Sequence, residues 1–214
     1  LLKEFDPVER DVSESIEMAT LLGKYFEQFG QHRHYRVFLI DLFLSLEMLE
    51  SAEQILEEHC RQDVFYPLKM GRIYLTRRDF QKLRQVLEQV SSTATDIEDY
   101  RAEYHFLQFS LLEKYGKKDE WQKHLEQISE DFFRHQANIQ LSDRLLNRAE
   151  FSDAFRILQE GRDYFLNAAN WLEALRTDAQ LAKYHRESGY PSRAEALYKT
   201  TFFQSDLHGF CLLS

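Results

Sequence analysis

Apolar positions return every three or four residues along nearly the whole chain, and the polar interruptions between them are short. That period is the signature of one buried helix face. It predicts eleven helical segments, at 10–29, 33–47, 50–60, 63–76, 79–91, 96–115, 118–135, 138–148, 151–165, 168–188 and 191–204. Gly30, Gly116, the polar run "SSTATD" at 91–96, and Gly189 with Pro191 mark breaks. Asp96, Asp119 and Ser192 are of the residue types that cap a helix start by accepting a backbone N–H bond. Connections of a few residues make sequence neighbours antiparallel in space. The expected fold class is all-α.

One residue runs against helix propensity. Gly71 sits inside "PLKMGRIYLTRRDFQKLRQVLEQV", residues 67–90, at a cost of about 1 kcal/mol relative to alanine. Around it Leu68, Met70, Ile73 and Tyr74 lead into the polar turn Arg77-Arg78-Asp79, and Phe80, Leu83, Leu87 and Val90 follow at helical steps. Two helices that cross closely need a small side chain at the crossing. Gly71 is expected to be that point, facing a small or aliphatic residue of the second helix.

The same code returns along the chain. With Leu83 as reference, Ala52, His124, Ala154 and Ala194 occupy the equivalent second-helix position, at successive intervals of 31, 41, 30 and 40 residues. Ser142 and Ala182 stand where Gly71 does. The pattern resembles the tetratricopeptide-repeat family, whose unit is a 34-residue helix pair. Gly71, Tyr74, Phe80 and Leu83 carry the likeness in 67–90, and Leu141, Phe151 and Ala154 carry it in 141–161; together it spans about 35–203. The family's early tryptophan is absent from every unit, and His124 replaces a small residue.

The resemblance implies a tetratricopeptide-like α-α superhelix, one domain of about five antiparallel hairpins at 33–60, 63–91, 96–135, 138–165 and 168–204, preceded by one N-terminal helix at 10–30. Such hairpins cannot each bury both apolar faces, so they stack. First helices then line a concave groove, here 36–46, 65–76, 99–115, 138–148 and 170–185. The chain begins at Leu1 without a methionine, which points to a piece of something longer.

Composition narrows the function. The 214 residues hold only 3 prolines and 7 glycines, which disfavours a turn-rich sheet protein. A net charge of −9 repels phosphate backbones, so no direct nucleic-acid contact is expected. No apolar run approaches the ~18 residues of a membrane span. Cys60 and Cys211 form no CxxC pair, as suits reduced thiols and a cytoplasmic location.

Catalytic signatures are missing. There is no GxSxG, no GxxxxGK[ST] and no HExxH, and the 36 carboxylates are scattered as on solvated helix faces. His32 and His34 come nearest to a metal pair, but residues two apart on a helix diverge. The expectation is a non-enzymatic chain with no metal and no cofactor.

Binding chemistry is better represented. The chain's four asparagines, Asn138, Asn147, Asn167 and Asn170, all fall within 138–170. An asparagine amide can hold a peptide backbone through paired bonds, and peptide-binding members of the family commonly use asparagine with arginine or lysine. Asn138, Arg144, Asn147 and Arg176 are therefore the candidate peptide contacts, while Asn167 and Asn170 suit caps or turns. The aromatic-rich helix with Tyr100, Tyr104, Phe106, Phe109 and Tyr115 supplies core rings, with Tyr104 or His105 as a groove-facing anchor.

The expected function is a protein- or peptide-binding helical-repeat module, the ligand-sensing or oligomerisation part of a bacterial transcriptional regulator. An assembly scaffold, a secretion chaperone, and an enzyme-like regulator acting through the groove are the alternatives. The apolar ending, with Phe210, Leu212 and Leu213, points to homodimerisation through the C-terminal hairpin.

Overall fold

A computed structural model describes residues 32–90, 95–115 and 118–207, together with Leu21 and Lys24. Ten helices occur among these residues and no strand: α1 (His32–Ser45), α2 (Leu49–His59), α3 (Tyr66–Thr76), α4 (Phe80–Leu87), α5 (Glu98–Tyr115), α6 (Lys118–Glu126), α7 (Asp131–Asn147), α8 (Phe151–Asn167), α9 (Trp171–Glu187) and α10 (Pro191–Leu207). The expected all-α fold is observed. Apart from Leu21 and Lys24, the segment expected at 10–30 lies outside the described residues, as do Gly116, Phe210, Leu212 and Leu213. None of the described helices is long and apolar enough to cross a membrane.

One boundary differs clearly from expectation. The helix anticipated at 118–135 ends at Glu126, and the one anticipated at 138–148 begins seven residues earlier, at Asp131. The buried Ile128 continues the apolar period but sits in the connection. There the backbone tightens, with Gln127 N–H bonding to His124 and Ile128 N–H to Leu125, each only three residues back. Asp131 then places its charge in the first turn of α7, where the helix dipole favours it. Asp119 and Ser192 lie inside the first turns of α6 and α10 and do not cap them from outside. Among the described residues, Asp79 caps by accepting from Lys82 N at 3.1 Å, and Asn170 by accepting from Glu173 N at 3.2 Å.

A single turn geometry recurs at five places among the described residues. Glu47, Arg78, Ala149, Ala169 and Gly189 have positive φ, from 53° to 89°. In each case the next residue's N–H reaches back five residues: Met48 to Phe43 (2.8 Å), Asp79 to Tyr74 (2.8 Å), Glu150 to Leu145 (2.9 Å), Asn170 to Phe165 (2.8 Å) and Tyr190 to His185 (2.7 Å). This is the left-handed helix stop that satisfies the last carbonyls, and the following helix starts one residue later. Four of the five hold a side chain in a conformation that glycine adopts more cheaply. Ala149→Gly and Ala169→Gly should each raise the unfolding free energy by about 0.5–1 kcal/mol in a urea titration. Gly189→Ala should lose a similar amount, because an added Cβ there meets no atom within 4 Å and only the backbone resists. Unchanged midpoints in all three would contradict the turn.

Contacts between Cα atoms divide the chain into two compact units, Ile40–Gln140 and the remainder on either side of it. In the first unit α2 packs on α3, α3 on α4, α4 on α5 and α5 on α6, and α3 also touches α5. Phe65, Leu68, Met70, Ile73, Leu83, Leu107 and Phe109 are fully buried there. Gly71 is a close-approach point, but its tightest neighbour belongs to the next hairpin. A Cβ at Gly71 would lie 2.9 Å from Leu107 Cδ1 on α5, against 3.4 Å from Leu83 Cδ1 on α4. In the second unit α8 packs on α9 and α9 on α10. Ala154 and Ala194, with Ser142 and Ala182 at the positions matching Gly71, are all buried.

Candidate functional site

First helices carry polar side chains among their buried apolar ones, and in the first unit several of these meet. Asp41 comes from "LIDLF" on α1, Lys69 and Arg72 from "LKMGR" on α3, and Glu103 from "RAEYH" on α5. Lys69 Nζ donates to Asp41 Oδ1 at 2.7 Å and to Glu103 Oε2 at 3.0 Å and Oε1 at 3.3 Å. Arg72 Nη1 donates to Asp41 Oδ1 at 3.4 Å. Its guanidinium also lies 5.9 Å from the ring centre of Phe132 and 5.7 Å from that of Phe133, both on α7, within cation–π range. Lys69 is 5% exposed and Glu103 1% exposed. Burial disfavours the Lys69 ammonium, but the Glu103 and Asp41 carboxylates outweigh it and hold its pKa above the ordinary value. Further along, Ser110 Oγ on α5 donates to Gln140 Oε1 on α7 at 3.0 Å.

α5 and α6 close over a second polar contact. His105 and His124 bring their Nδ1 atoms to 2.9 Å. Tyr104 stands edge-on to both rings, and its hydroxyl accepts from Gln108 Nε2 at 3.1 Å. The other aromatics of α5 pack outward in several directions: Tyr100 near Phe65, Phe106 stacked on Phe133, Phe109 edge-on to Trp121 and Tyr115 edge-on to Phe80. They serve as core rings, except that Tyr115 remains exposed.

In the second unit Lys183 on α9 donates to Asp143 Oδ1 on α7 at 2.8 Å. Arg162 Nε on α8 donates to Asp178 Oδ1 on α9 at 2.5 Å. Burial raises the Asp178 pKa, although the arginine pulls the other way.

The candidate contact residues fall into two sets. Tyr104 and Asn138 belong to the first unit; Arg144, Asn147 and Arg176 belong to the second. Arg144 and Asn147 are three residues apart on α7 and share a side of it, while Asn138 lies about 180° round the helix from Asn147 at 100° per residue. Arg176 Nη1 is held at 2.5 Å by Glu173 Oε1, one turn earlier on α9. Asn167 ends α8 and Asn170 caps α9.

Among the described residues no three His, Cys, Asp or Glu side chains gather as a metal set. α10 presents Tyr198, Phe202 and Phe203 to solvent. Sequence reading passed over Lys69, Glu103 and Asp41. Asp41 and Lys69 interrupt apolar stretches of α1 and α3, and Glu103 follows Lys69 by 34 residues much as Lys69 follows Asp41 by 28. No family model matches this chain, and neither does any curated protein or solved structure, so its chemistry is read from its own residues.

Proposed function

We propose that this chain is a non-enzymatic helical-repeat module that holds a peptide or protein partner along the face made by its first helices. One observation supports this above the rest: every step between successive first helices carries a polar side-chain link. Asp41–Lys69 joins α1 to α3, Lys69–Glu103 joins α3 to α5, Ser110–Gln140 joins α5 to α7, and Asp143–Lys183 joins α7 to α9. Within each unit these links set successive first helices beside one another, which supports a tetratricopeptide-like stacking. The recurring left-handed turn gives four of the hairpins the same internal geometry.

Arg144 and Asn147, side by side on α7, are the peptide contacts we favour in the second unit. Partner recovered by co-purification with the full chain provides the ligand for titration. Arg144→Ala and Asn147→Ala should each weaken its binding by about tenfold, or 1.4 kcal/mol, without lowering the thermal midpoint. Unchanged affinity in both folded variants would overturn the assignment.

A further inference from the structure

The third hairpin, α5–α6, differs from the others at one position. Where the other second helices carry Ala52, Leu83, Ala154 and Ala194, all buried, α6 carries His124. Its ring lies 5.1 Å from that of His105, with Nδ1 facing Nδ1 at 2.9 Å. Two neutral imidazoles meet this way only if one carries its proton on Nδ1 and the other leaves Nδ1 bare. An apolar side chain holds a helix against its neighbour at any pH. A histidine does so only while one of the pair can still accept.

We propose that the His105–His124 contact is a proton-operated latch, holding α6 on α5 while the two Nδ1 atoms share one proton and releasing it when both are protonated. The surroundings favour release on acidification. Burial lowers the pKa of His105 to about 4, with further lowering from His124 on α6 and from the Arg101 guanidinium one turn earlier on α5. Burial alone lowers that of His124. Among the described residues, the Tyr104 ring also stands against both imidazoles. Folded His105 thus binds fewer protons than in the unfolded chain between about 4 and the ordinary 6.5, and His124 shifts in the same direction. Its contribution is complete above that range and is lost as pH falls through it.

The test is hydrogen exchange of the full chain, read by peptide mass at about pH 7 and about pH 4.5 and corrected for intrinsic rates. Peptides from 118–126 should lose about tenfold more protection on acidification than peptides from α3 and α4. His124→Ala restores the small residue of the other hairpins and should abolish that excess. Equal loss across the helices, or the same excess in His124→Ala, overturns the latch. Should that variant fail to fold, side-chain nitrogen NMR of the native chain decides. One Nδ1–H and one bare Nδ1 with both rings titrating below the ordinary range support it; two rings titrating at about 6.5 overturn it.

Discussion

Lys69→Ala should cost about 3–5 kcal/mol of folding free energy, one of the two largest losses expected from a single substitution in this chain. The reason lies less in the lost attraction than in what stays behind. Glu103 is 1% exposed and takes two bonds from Lys69 Nζ. Arg72 cannot substitute, because its Nε is 3.9 Å from Glu103 Oε1, beyond hydrogen-bond range. A carboxylate left in that position keeps only the more distant Arg72 charge in place of its hydrogen-bonded ammonium. Asp41, whose side chain is 40% exposed, can turn to water instead, so Asp41→Ala should cost only about 1 kcal/mol. The pair itself is not irreplaceable. Lys69→Met with Glu103→Leu exchanges two buried charges for apolar side chains of similar length and should recover most of the stability. Urea denaturation of the two singles and the double closes the cycle. A loss below about 1 kcal/mol for Lys69→Ala would show that the buried pair is not formed.

Gly71→Val should lose about 2–4 kcal/mol, through overlap and not through propensity alone. Two effects oppose each other at this position. Glycine within a helix is about 1 kcal/mol worse than alanine, so adding a side chain gains something locally. Against that, the first carbon added would lie 2.9 Å from Leu107 Cδ1, and Leu107 is fully buried with nowhere to retreat. Gly71→Ala therefore comes close to balance, whereas the two further methyl groups of valine do not fit. Trimming the neighbour should reverse the sign of the interaction: Gly71→Val with Leu107→Ala is expected to lose less than the two singles added together. Strict additivity would mean that α3 and α5 do not approach here.

Much of the fold was legible because helical period is a strong local signal. Nine of the ten helix starts among the described residues fall within three residues of the expected positions. The exception, α7, began early because Ile128 satisfies the apolar period from within a connection. The four left-handed turns at Glu47, Arg78, Ala149 and Ala169 left no mark in residue type, since only Gly189 uses the residue that the geometry favours. Gly71 was recognised as a close-approach residue, yet its partner lay one hairpin further on, because a period describes one helix pair and says little of the next. The polar site was harder. His105 and His124 each drew notice separately, but no spacing rule joins residues 19 positions apart across a turn. Lys69 and Glu103 read as ordinary solvated charges until their burial brought them together.

The claim on which the functional proposal rests is that successive first helices stand side by side. Thiol crosslinking tests this most directly, in the chain carrying Cys60→Ala and Cys211→Ala. Two pairs are introduced separately, Ser110→Cys with Gln140→Cys and Asp143→Cys with Lys183→Cys, and treated with a short bismaleimide. Side-by-side first helices require an intramolecular crosslink at both pairs in the folded protein, since their native side chains meet at 3.0 and 2.8 Å. Absence of the crosslink at either pair, in a chain whose helical circular dichroism is intact, would contradict the stacking and with it the binding surface.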